Sequence, residues 1–167
     1  MRSVLIFLFT CLFPTLATAH QDIEILEAYV VDTTPGMDNG AGYIVLKNAG
    51  PSEARLIGVS SSIAEATQVH THVEDGDLRR MVEFEMPLIL APGEVLTMRP
   101  GGIHVMFLGL YHPLRAGDQI DVKLHFQGRY VRDLDLSLEV LSLNEVEKMQ
   151  RHPTNPMSPE NRDHSLH

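Results

Sequence analysis

This sequence predicts an all-β fold, a single antiparallel β-sandwich, and three observations carry the prediction. Short apolar segments rich in Val, Ile and Tyr recur with turn residues between them, and little helical periodicity interrupts them. One late segment alternates strictly, with Asp133, Asp135, Ser137 and Glu139 interleaved among Leu134, Leu136, Leu138 and Val140. One face of that strand is therefore wet and the other is core. The chain has 167 residues, 44% hydrophobic and 21% charged, which is one ordinary domain able to bury a core without disulfides.

The first strand is expected at residues 23–31, an apolar, β-rich run closed by the loop Thr34-Pro35-Gly36-Met37-Asp38-Asn39-Gly40. Residues 42–47 form the next, ended by Asn48-Ala49-Gly50-Pro51, and residues 55–60 the third. Residues 66–73 and 78–85 flank Glu74-Asp75-Gly76-Asp77, a hairpin turn. The segment 86–92, which holds two prolines, reads as a loop. Further strands are expected at 95–98, 103–108, 119–126 and 130–140, the last two joined through Gln127-Gly128-Arg129. Ser142-Leu143-Asn144-Glu145 then fits a capping box that opens a short helix over 145–151. From His152 the chain turns polar, with Pro153, Pro156 and Pro159, and reads as a mobile tail. The division is thus 1–19, a sandwich domain over 20–141, and a helix with tail over 142–167.

Residues 1–19 read as a secretory signal. Arg2 supplies a positive start, residues 4–12 an apolar run, and Ala17-Thr18-Ala19 a small-x-small cleavage site after Ala19. Lipidation at Cys11 would need a longer apolar run and a small residue where Thr10 stands. Export places the protein in the periplasm, with no membrane span in the mature chain. Cys11 is the single cysteine and leaves with the signal, so disulfides, thiolate zinc sites, iron–sulfur clusters and blue-copper centres are excluded. The net charge of −9 leaves no basic face for nucleic acid. All nine His and seven of the eight Met remain.

Those residues form a pattern. His70 and His72 lie two apart on a predicted strand and leave the same face, and His104 and Met106 repeat the arrangement on another. Met81 lies on the strand that returns from His70 through the hairpin, a turn that does not fix the register between them. Thioether and neutral imidazole suit Cu(I), a soft ion, and thioethers survive an oxidising compartment where thiols do not. Zinc and hard ions would call for thiolate, more His or carboxylates.

The run Pro100-Gly101-Gly102-Ile103-His104-Val105-Met106-Phe107-Leu108-Gly109-Leu110, followed by Pro113-Leu114, closely resembles the motif end of the periplasmic PCuA(C) copper chaperones. That family's pattern is His or Met, ten residues, Met, twenty-one residues, then His-x-Met. Here His70 and Met81 enclose ten residues, while Met81 and His104 enclose twenty-two, one more than the pattern, an excess assigned to the 86–92 loop. Asn39-Gly40-Ala41-Gly42-Tyr43 and Leu56-Ile57-Gly58-Val59-Ser60 also resemble the family's early strands, although its early Trp is absent and Tyr29 stands in that neighbourhood. The resemblance spans about residues 23–140.

It implies a cupredoxin-like sandwich that is not an enzyme. Such a protein carries Cu(I) on His70, Met81, His104 and Met106 and hands it by ligand exchange to a copper-accepting partner. That partner would be a cytochrome c oxidase subunit, at its CuA centre, or another copper chaperone. His72 is a candidate fifth donor. His152, Met157, His164 and His167 in the tail are candidate accessory donors, with nitrogen there suiting Cu(II). Met86 and Met98 read as packing residues, and His112 and His125 as surface or loop residues. Two other readings stay open on the same sandwich. One is a copper-dependent oxidase using His20 as a new N-terminus, and the other is a metal-free interaction module.

Overall fold

The computed structural model describes residues 22–76, 78–129 and 131–151. Ten strands and one helix follow in order: β1 Ile23–Val31, β2 Asn39–Asn48, β3 Ala54–Ser60, β4 Ala64–Asp75, β5 Leu78–Glu83, β6 Leu88–Leu90, β7 Val95–Met98, β8 His104–Leu110, β9 Gln119–Gln127, β10 Leu134–Leu141 and α1 Leu143–Arg151. Hydrogen bonding runs continuously through β5-β4-β8-β2-β1-β10-β9-β3-β6. β2 carries β8 along residues 39–42 and β7 along residues 44–47. Both halves send apolar side chains into one core, Val30, Ile44, Val105 and Phe107 from the first, Leu56, Val122, Leu124 and Val140 from the second.

The predicted antiparallel sandwich holds with one exception. β1 and β10 join the two halves in parallel, Tyr29 opposite Glu139 through Val31 opposite Leu141. Alternation fixes which face a residue takes, while the direction of a strand paired from the far end of the chain is set by the whole topology.

Two expected boundaries need correction. The 86–92 segment holds β6, paired with β3 from Ala54 opposite Leu90 to Leu56 opposite Leu88, and Leu90 is buried. Pro87 and Pro92 hide this edge strand from a propensity reading. The strand expected from residue 130 starts at Leu134, and Tyr130 lies outside the described residues. Asp133 closes the connection before it by taking the Phe126 N–H on Oδ1 (3.2 Å) and the His125 ring on Oδ2 (3.0 Å). Because a carboxylate only accepts, His125 Nδ1 carries the proton, and Ser60 Oγ donates to Nε2 at 2.8 Å.

Buried polar groups tie the edges down. Asn48, fully buried, donates to the carbonyls of Ser52 (2.8 Å) and Leu90 (3.0 Å) and accepts the Gly50 N–H (3.1 Å). Gly109 sits in β8 at φ +67, a left-handed value that suits glycine, and its N–H goes to Asn39 Oδ1 at 3.2 Å. Met98 is fully buried and Met86 packs on the core, as packing residues should.

The predicted capping box forms. Glu145 Oε2 accepts from the Ser142 N–H (2.8 Å) and hydroxyl (2.6 Å), while the Glu145 N–H points to Ser142 Oγ (3.4 Å). The helix runs two residues longer than expected at its start, and Val146 is its buried residue.

Candidate metal centre

The alternation of three adjacent strands builds the site. Val69, Val105 and Phe107 fill the core. Their neighbours His70, His104 and Met106 therefore leave the opposite face, and His72 and Met81 join them there. The register sets His70 opposite His104, His72 opposite Met81, and Gln68 opposite Met106. His104 is 4% and Met106 8% exposed, while Met81 is 48% exposed. Two donors are thus sunk in the protein and one stands at the surface.

Hydrogen bonds fix which nitrogen each ring offers. His104 Nδ1 lies 2.9 Å from the Gly102 carbonyl, which can only accept, so Nδ1 carries the proton. In the neutral ring Nε2 is then a bare lone pair, and it faces the Met81 sulfur at 3.2 Å. Two acceptors facing each other make no proper hydrogen bond. A d¹⁰ ion held about 2.0 Å from nitrogen and about 2.3 Å from sulfur sets such atoms roughly 3.5 Å apart at a tetrahedral angle. The pair therefore fits two ligands of one soft ion.

His70 is held in the same way from the other side. Gln68 Nε2 donates to the Glu83 carboxylate at 3.1 Å, which turns Gln68 Oε1 to the ring, and His70 Nε2 donates to it at 3.0 Å. That leaves Nδ1 as the lone pair, buried and without a hydrogen-bond partner. Burial, with His104 nearby, pulls the His70 pKa below its ordinary value, although Glu83 opposes the shift. The neutral, ligating form is thereby favoured. The His70 and His104 rings lie 6.3 Å apart edge-on, and the His72 ring stacks on His104 at 5.5 Å and 30°.

A groove of about 650 Å³ opens over this face, lined by Tyr43, His72, Met81, His104 and Met106, with Met37 among its other walls and Leu143 and Val146 of α1 closing one side. The five predicted donors of the strands are therefore brought together, but His70 does not line the groove. His152, Met157, His164 and His167, like His20 and Cys11, lie outside the described residues. The sequence reading missed Met37, the Gln68–Glu83 pair and the helix as a wall. Gln68 could have been found, since it shares the i, i+2 face of His70 and His72. Met37 sits in a loop with no periodicity to flag it. Among the described residues no three or more His, Cys, Asp or Glu gather to hold an ion.

Fold and face together define the class: a cupredoxin-like β-sandwich, the fold of PCuAC domains, with imidazoles and thioethers gathered on one face. The copper-bound PCuAC domain from PmoF2 superposes with a TM-score of 0.59 at 23% identity, over 72% of this chain and 93% of that domain. Cu(I)-bound DR1885 from Deinococcus radiodurans superposes with a TM-score of 0.51 at 27% identity, over 68% of this chain and 74% of that one. The chain belongs to the LpqE-like family, whose profile matches residues 23–133. Lxx21020 of Leifsonia xyli subsp. xyli, which carries a lipoprotein name, is 34% identical over 104 residues, 62% of this chain. The match spans 61% of that relative's length. A lipoprotein family is compatible with an extracytoplasmic place. No helix among the described residues is long and apolar enough to cross a membrane.

Proposed function

We propose that this protein is an extracytoplasmic copper chaperone that binds one Cu(I) through His70, Met81, His104 and Met106 and releases it by ligand exchange. The observation that carries the reading is the bare His104 Nε2 facing the Met81 sulfur at 3.2 Å, with the proton held on the far nitrogen by Gly102. Met106, beside His104 on the same face, supplies a second thioether, and His70 Nδ1 a second nitrogen. Copper is the cargo here, so the site needs affinity and a route of exit rather than a reaction. Half-exposed Met81 provides the route, because an acceptor can displace the outermost donor first.

The copper-bound state of DR1885 and of the PmoF2 domain supports copper as the cargo. The acceptor we propose is a cytochrome c oxidase subunit at its CuA centre or a second copper chaperone. Export by a signal cleaved after Ala19 delivers the chain to the periplasm. An anaerobic Cu(I) titration against a chromogenic chelator tests the reading. Wild type should take one equivalent, and Met106→Ala should lose affinity while staying folded. Equal affinity in Met106→Ala, Met81→Ala, His70→Ala and His104→Ala would refute it.

A further inference from the structure

Five donors meet where four are called for, and the surplus one is His72. It stands directly opposite Met81 in the β4–β5 ladder, and its ring stacks on His104 at 5.5 Å, closer than His70 at 6.3 Å. It lines the groove with Met81, His104 and Met106, whereas His70 does not. Its Nδ1 is buried without a hydrogen-bond partner, the state also found at His70 Nδ1. A buried ring nitrogen with no partner is unfavourable unless something else is there to engage it. The two rings differ in one respect: His70 is anchored by the Gln68–Glu83 chain, and no such anchor holds His72.

We infer that His72 is the exchange ligand of the site, and this inference rests on the copper reading above. In the resting state the ion sits on His70, Met81, His104 and Met106. As it leaves, a bond from copper to His72 Nδ1 forms while the bond to His70 Nδ1 breaks. Each imidazole binds through a ring lone pair and copper stays Cu(I), so one nitrogen ligand replaces the other and no electron moves. The step carries the ion from the anchored ring to the one that lines the groove. Met37, 54% exposed, also lines this groove. A second imidazole beside the resting set offers a path for release without adding to resting affinity.

The test uses the full chain loaded anaerobically with one Cu(I), and bathocuproine disulfonate as the acceptor in stopped flow. His72→Phe keeps the ring stack and removes the nitrogen, and His72→Gln keeps a polar side chain in case the first variant folds poorly. Both should hold the equilibrium Kd within about threefold of wild type and slow copper release about tenfold or more, while His70→Ala loses at least about tenfold in affinity. An unchanged release rate overturns the inference. A loss of affinity in the His72 variants as large as that of His70→Ala overturns it too, because His72 would then be a resting ligand. The copper reading survives both of those outcomes. It falls, and the inference with it, if the wild-type chain takes no Cu(I).

Discussion

Met81→Leu separates the site from the fold more cleanly than any other single change. Met81 is 48% exposed on β5, so its replacement by a side chain of similar volume disturbs little packing. Volume-conserving swaps cost less than about 1.5 kcal/mol even in cores, and at a half-exposed position below about 1 kcal/mol. For a domain of this size that is a fall in Tm of no more than about 4 °C. Cu(I) should respond differently. The variant removes the sulfur that faces His104 Nε2 at 3.2 Å. Loss of a residue that merely supports a ligand typically costs 10- to 100-fold in metal affinity, so loss of the ligand should cost at least as much, about 1.4–2.7 kcal/mol or more. Thermal unfolding of the apo protein and chelator competition for Cu(I) read the two effects apart. An affinity within twofold of wild type would refute the reasoning, and so would a loss of stability large enough to account for the loss of binding.

Gln68→Leu should free His70 Nε2 and weaken Cu(I) about tenfold at nearly unchanged Tm, checked by the same competition. Asn48→Ala should cost about 2–3 kcal/mol in urea unfolding, because the carbonyls of Ser52 and Leu90 and the Gly50 N–H lose their partner, with the Cu(I) site intact. Asp133 is held below its ordinary carboxyl pKa, first by the His125 hydrogen bond and then by the Phe126 N–H. The unfolded chain therefore takes up the proton more readily, so this contribution is present above the ordinary pKa and lost as pH falls through the lowered one. His125→Ala should flatten the acid limb of the stability curve, and an unchanged limb would contradict the assignment.

How much was legible in the sequence follows from which physics is local. Strand positions were, because alternation and turn chemistry are properties of neighbouring residues; β7 falls on the expected 95–98. β6 was not, since three residues between prolines carry no alternation. The parallel β1–β10 seam was not, since direction across a sheet comes from topology. At the site, the two-residue period of a strand is enough to put His70 with His72, and His104 with Met106, on one face. The hairpin turn alone could not say whether His70 or His72 stands opposite Met81, and the register decides for His72. The Gln68–Glu83 anchor and the groove wall of α1 come from tertiary placement, which residue spacing does not encode.

X-ray absorption at the copper edge tests the central claim most directly, on the full chain grown with selenomethionine and loaded anaerobically with one Cu(I). The account predicts a copper–selenium shell of two neighbours, from positions 81 and 106, together with imidazole nitrogen. One of the two selenium neighbours should disappear in Met81→Leu and one in Met106→Leu. A first shell of nitrogen and oxygen alone, or a selenium shell that neither variant alters, would contradict it.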